Sequence, residues 1–194
     1  MTLALMTTRV EPEEDADVEL AARLARGEAG ALEEVVGLHQ AGIVRLANRL
    51  LGWTGEVDDI VQDIFLTALE KAGKFRGQSS LKTWLTVITL NRCRTYHRRR
   101  KIWRRVVATL TARPRAASSA ADQSALSDEV AREVRSAVAA LPSRDREVIV
   151  LQYLEHKSPA EIAELLGSSQ NAIEVRLHRA KAKLRQTLQG LMKE

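Results

Sequence analysis

The sequence predicts an all-α protein of two small helical domains joined by a flexible linker. Three observations carry this expectation. Ala, Leu, Arg and Glu dominate the 194 residues, while Gly (10) and Pro (4) are scarce, a composition of strong helix formers. Apolar residues recur at i, i+3, i+4 and i+7 in several stretches, and none alternates apolar and polar residues long enough to build a sheet. Between residues 106 and 127 this periodicity gives way to Thr, Ala, Ser, Pro and Gln, a run too long for a loop inside one compact domain.

The elements follow in order. Residues 1–17 read as a solvated acidic tail, because Glu11 to Glu19 carries six acids and no base. A short amphipathic helix spans Val18 to Ala25, ended by Gly27. A second starts near Ala29, and its stripe of Ile43, Leu46, Ala47, Leu50 and Leu51 marks one buried face. The Gly52 to Gly55 segment stops it. A third helix, Val57 to Lys71, buries Val57, Ile60, Val61, Ile64, Phe65 and Ala68. A Gly- and Ser-containing loop, Gly73 to Ser80, leads into a fourth helix from Leu81 through the basic cluster Arg98 to Lys101. The first domain thus covers 18–105, the linker 106–127 and the second domain 128–194. There Val130, Val134, Ala137, Val138 and Leu141 share a face, and Ser143 is the expected N-cap of a helix running from Arg144 to about Leu154. Ser158-Pro-Ala-Glu161 is a capping box with Pro at the first helical position. That helix stops at Gly167. Ser168 or Ser169 caps the last helix, Asn171 to Leu188, whose buried face carries Ile173, Leu177, Ala180 and Leu184.

Charge is distributed unevenly. The chain carries +5 with a pI of about 9.7, but Lys71 to Ala121 holds 14 Lys and Arg and no acid. Such segregation points to an electrostatic footprint for a polyanion. The single cysteine, Cys93, allows no disulfide within the chain. His39, His97, His156 and His178 share no ligand spacing, and neither a Gly-rich phosphate loop nor a nucleophile motif is present. No catalytic residue, metal, cofactor or small-molecule substrate is therefore expected. No apolar run is long enough to span a membrane, and Met1 to Met6 lacks the basic flank of a signal peptide. The expectation is a reduced, cytoplasmic protein without membrane insertion.

Three constellations stand out. Pro159–Leu166 and Asn171–Leu188, joined by Gly167-Ser-Ser, have helix-turn-helix spacing, with Arg176, Arg179 and Lys183 on the second helix. An ordinary αα-hairpin with a solvated basic face has the same pattern. Asp58, Asp59, Gln62 and Asp63 share one side of the third helix, either as a solvent-facing polar side or as a docking surface for a basic partner. A catalytic carboxylate pair would need an oriented partner and separated pKa values, and no such partner is near in sequence. The acid-free stretch interleaves Phe75, Trp84, Tyr96 and Trp103 with bases, which suits unstacked nucleic-acid bases. Trp84, flanked by Leu81 and Leu85, reads rather as core, while Phe75, beside Gly and Arg in a loop, fits either role.

Together the residues resemble one family, the extracytoplasmic-function (ECF) RNA polymerase sigma factors. Val57-Asp-Asp-Ile-Val-Gln-Asp-Ile-Phe65 resembles the family's region 2.2. Phe75-Arg-Gly-Gln-Ser-Ser-Leu-Lys-Thr-Trp-Leu85 resembles region 2.3, and Leu90-Asn-Arg-Cys-Arg-Thr-Tyr-His-Arg-Arg-Arg100 resembles region 2.4. Leu141-Pro-Ser-Arg-Asp-Arg-Glu-Val148, Ile162-Ala-Glu-Leu-Leu-Gly167 and Arg176-Leu-His-Arg-Ala180 resemble region 4. The resemblance implies a region 2 bundle, which binds core polymerase and melts the −10 element, and a region 4 helix-turn-helix, which reads the −35 element. It implies that Asp58, Asp59, Gln62 and Asp63 dock on the clamp helices of the β′ subunit, while region 4 meets the β flap. It implies that Phe75, Arg76, Ser79, Ser80, Trp84 and Asn91 handle the −10 bases, with Arg92, Arg94, Arg98 and Arg99 on the backbone. It assigns Ser169, Asn171, Glu174, Arg176, Arg179 and Lys183 to the −35 element. An anti-sigma factor is the implied restraint.

The match departs from the family at Asn171-Ala-Ile-Glu-Val-Arg176, where many members carry Gly-Thr-Val-Lys-Ser-Arg. Glu174 puts an acid where a base is common, and an acid can accept from a cytosine amine. Residues 1–17 have no assigned counterpart; shielding of basic surface in the free protein is one role for them. Two other functions compete. A stand-alone helix-turn-helix regulator explains residues 128–194 and leaves the first hundred without a role. A metal-dependent nuclease built on Asp58, Asp59 and Asp63 lacks a further ligand within reach.

Overall fold

A computed structural model of the chain describes residues 12–53, 56–110 and 127–191, and every regular element among them is helical. Helices α1 (Pro12–Ala25), α2 (Ala31–Leu51), α3 (Val57–Lys71) and α4 (Leu81–Leu110) form the first bundle, with a 3-10 turn at Ala72–Lys74. Helices α5 (Ser127–Ala140), α6 (Ser143–Ile149), α7 (Pro159–Leu166) and α8 (Gln170–Leu191) form the second, with a π turn, Val150–Leu154, after α6. The stripe expected of α3 is buried throughout, Ile64 and Ala68 completely. The α2 stripe of Ile43, Leu46, Ala47, Leu50 and Leu51 is buried as well. These faces meet because burying a Leu or Ile side chain is worth roughly 1.5–3 kcal/mol.

Several boundaries differ from the sequence reading. Helix α1 begins at Pro12 rather than Val18, so 12–17 are helical and not tail; Pro suits a first helical turn and acids favour its dipole. Residues 1–11 lie outside the described residues. Helix α2 starts at Ala31, and α4 runs as one helix to Leu110, past the expected domain end at 105. The rest of the expected linker, residues 111–126, lies outside the described residues. Ser143 is the first residue of α6 and Pro142 its cap: Pro142 is extended (φ −52°, ψ 142°), and its carbonyl accepts from the Asp145 and Arg146 amides, both at 2.9 Å. Helix α6 ends at Ile149, where the ladder widens and Glu155 N–H reaches the Val150 carbonyl at 3.0 Å.

The two bundles pack against each other. One continuous core runs from Leu20 in α1 to Ala180 in α8. Helix α6 and the π turn lie on α2 and α4, an association that no motif in the sequence announced.

Candidate functional site

The acidic face of α3 is built by periodicity. Val57, Ile60, Val61 and Ile64 are buried, which turns Asp58, Asp59, Gln62 and Asp63 outward, and all four are exposed. No ion pair or hydrogen bond engages the side chains of these four among the described residues; the Asp63 backbone carbonyl accepts from the Thr67 hydroxyl at 2.6 Å. An unneutralised row of this kind is available to a basic partner.

The loop before α4 is held from two sides. Phe75 and Trp84 are both part-buried, and their rings meet edge to face with centroids 5.5 Å apart. Each is thus half core and half surface. At Gly77 (φ +66°) a Cβ would lie 2.5 Å from Val18 Cγ2, so only glycine lets the loop pass this close to α1. The Leu81 amide at the start of α4 donates to Asp17 Oδ2 at 2.7 Å, a cap supplied by α1. Sequence reasoning missed Asp17, because the acidic run looked like tail. Ser80 Oγ adds a local cap, accepting from the Thr83 amide at 3.2 Å. Arg76, Ser80 and Asn91 are exposed and Ser79 is half-buried.

The basic residues of α4 do not share one state. Arg98 and Arg99 are exposed. Arg92 donates to Thr67 Oγ1 on α3 (Nε at 2.7 Å), which turns its guanidinium onto the bundle. Arg94 makes a two-pronged pair with Glu147 of α6, at 3.0 and 2.9 Å. Tyr96 donates to the Glu56 carboxylate, and Arg100 lies over its ring. Cys93, between the two arginines, is buried, and burial pushes its thiol up to about 12. His97 bonds the Leu50 carbonyl at 3.1 Å and is pushed below its ordinary value, chiefly by burial.

The second bundle has the predicted helix-turn-helix. Ser158 and Glu161 form the reciprocal capping box, and Gly167 (φ +59°) ends α7. Ser169 caps α8, its hydroxyl accepting from the Ala172 amide at 3.3 Å. Ser169, Asn171, Glu174 and Arg179 are exposed and Arg176 half-buried. Gln170 Nε2 donates to Glu174 at 2.9 Å, and Lys183 pairs with Asp145 at 2.6 Å. The exposed start of α8 is therefore free to enter a groove of a duplex. Between the bundles lies an apolar groove of about 950 Å³, with Trp53, Val138 and Leu184 on its walls and Arg45, Arg135 and Arg185 around it. Among the described residues no group of His, Cys, Asp or Glu could hold a metal ion, and no helix is long and apolar enough to cross a membrane.

The family models agree with this layout. Residues 35–102 match sigma-70 region 2, and residues 131–184 match sigma-70 region 4. The RNA polymerase sigma factor CnrH of Cupriavidus metallidurans is 33% identical over 178 residues, covering 88% of this chain and 93% of that protein. The chain belongs to the ECF sigma factors of the sigma-70 family. The ECF sigma factor SigM of Mycobacterium tuberculosis is 31% identical, covering 90% of this chain and 86% of its own. Two solved structures share the fold with a TM-score of 0.63: CnrH in complex with the cytosolic domain of CnrY, and RpoE of Bartonella quintana in complex with the anti-sigma factor NepR. The first is 33% identical and covers 91% of this chain and 99% of that one; the second is 25% identical and covers 83% and 98%. As a sigma factor, the protein directs promoter-specific initiation of transcription by RNA polymerase.

Proposed function

We propose that the surfaces of this sigma factor divide the work as follows. The α3 face of Asp58, Asp59, Gln62 and Asp63 docks on the β′ clamp helices of core polymerase, and the second bundle (128–194) meets the β flap. Phe75, Arg76, Ser79, Ser80, Trp84 and Asn91 take up the unpaired bases of the −10 element. Arg98 and Arg99, joined by Arg92 and Arg94 once these leave their present partners, hold the adjacent phosphates. Ser169, Asn171, Glu174, Arg176, Arg179 and Lys183 address the −35 element, with Glu174 setting sequence preference. The chain works in the cytoplasm and uses polymerase's active site in place of one of its own. Its restraint is an anti-sigma factor. The basic rim and apolar walls of the groove between the bundles suit an amphipathic helix with acidic flanks.

The observation that carries this reading is the exposed acidic row on α3, whose side chains meet no basic partner among the described residues. Co-purification with core polymerase tests it, with Asp58→Arg/Asp59→Arg as the comparison. Retention of the wild type and loss of the variant are expected. A wild type that fails to bind, or a variant that binds equally well, overturns the assignment.

A further inference from the structure

The loop from Gly73 to Ser80 lies along α1 and is held there at three points, four residues apart. A Cβ at Gly73 would lie 3.9 Å from Ala25 Cβ, and one at Gly77 would lie 2.5 Å from Val18 Cγ2. At the far end the Leu81 amide donates to Asp17 Oδ2 at 2.7 Å. The loop therefore runs antiparallel to α1, from Ala25 toward Asp17 as its own numbering rises. Leu81 is fully buried, so the end that Asp17 pins is also anchored in the core. Phe75, Arg76, Ser79 and Ser80 fall between the three points.

The loop has little else to shape it. The Phe75 amide reaches the Ala72 carbonyl at 3.0 Å, and Ser80 accepts from the Trp84 and Thr83 amides at 3.0 and 3.2 Å. Between these ends, among the described residues, no backbone-to-backbone hydrogen bond engages residues 76–79. A segment without a ladder of its own takes its order from the surface it leans on. Ordering it costs conformational entropy, and a loop already ordered does not lose that entropy when its ligand arrives.

We propose that Asp17 is a positioning residue for promoter opening: its carboxylate, with Val18 beside it, sets the loop that takes up the unpaired −10 bases. Asp17 meets no base itself. Its oxygen fixes where α4 begins, and with it the junction across which the Phe75 and Trp84 rings meet. The inference rests on the assignment of this loop to the −10 bases above.

The test uses holoenzyme assembled from core polymerase and the full chain. The probe is a forked DNA whose unpaired −10 strand is selected from a randomised pool by the wild-type holoenzyme. A second fork carries abasic sites across the same element. Asp17→Ala should weaken binding of the intact fork roughly fivefold, while Asp17→Asn, which keeps an acceptor oxygen, should stay within about twofold of wild type. Binding of the abasic fork and retention by core polymerase should be the same for all three. Equal loss on both forks, no loss on the intact one, or an Asn variant as weak as Ala overturns the positioning role. Phe75→Ala separates the two readings. If it costs no affinity for the intact fork, the loop takes no bases and the assignment above falls with this inference. If it costs affinity and Asp17→Ala does not, the assignment stands and only the positioning role fails. Should Asp17→Ala not fold, Val18→Ala, which trims a side chain 42% exposed, carries the same base-dependent expectation.

Discussion

The capping box of α7 offers a quantitative test of how the helix-turn-helix is held. The perturbation is Ser158→Ala. The Ser158 hydroxyl accepts from the Glu161 amide at 3.2 Å, and the Ser158 amide donates to Glu161 Oε2 at 2.8 Å. Helix α7 has only eight residues, so an unravelled first turn would loosen Ile162, which is fully buried below it. Losing an N-cap serine costs about 1 kcal/mol, about fivefold in the ratio of folded to unfolded chain. With a urea dependence of about 2 kcal/mol per M, the midpoint by circular dichroism should fall by about 0.5 M. Ser158→Asp, which keeps an acceptor, should lose much less. Glu161 adds a pH signature. It is held down at about 2, against an ordinary 4.5, first by its bond from Lys157 and then by those at Ser158. A depressed carboxylate contributes stability above its unfolded value and loses it on acidification. The gap between wild type and Glu161→Gln should therefore be complete at neutral pH, shrink as the pH falls below 4.5 and vanish near 2. It should also narrow with salt, since the carboxylate is exposed. Equal midpoints for Ser158→Ala and wild type, or a gap that widens in acid, would refute the reasoning.

Other outcomes follow from the same geometry. Cys93, buried and with its thiol pushed up to about 12, should resist a thiol reagent in the native chain at mildly alkaline pH and react fully in urea; rapid native labelling would contradict its placement. Asp17→Ala removes the cap on Leu81 and should cost about 1 kcal/mol, with faster hydrogen exchange at the Leu81 amide and unchanged exchange in the second bundle. A double-mutant cycle on Phe75→Ala and Trp84→Ala should give a coupling of about 0.5–1.5 kcal/mol from their edge-to-face contact; additive effects would show that the rings act independently.

The sequence by itself determined what depends on local order. The α3 stripe and the acidic face opposite it follow from helical period, because a residue's side of a helix is set by its spacing alone. The α7–α8 helix-turn-helix was equally legible, since the capping box, Pro159 and Gly167 act within a few residues of one another. The Asp58, Asp59, Gln62 and Asp63 row is accordingly exposed, as helical spacing alone requires. Only the tertiary structure decided the fate of charges that meet across the chain. Asp17 lies 64 residues from the amide it caps, and Arg94 lies 53 residues from Glu147. Arg92 and Arg94 look alike in sequence, yet one is turned onto Thr67 and the other onto the second bundle. Arg146 and Glu147 stand in the stretch that resembles region 4, with nothing in the sequence to mark them as buried, but packing of α6 on α2 and α4 removes both from water. A charge pattern records which groups are available; burial and the partner that accompanies it decide what each one does.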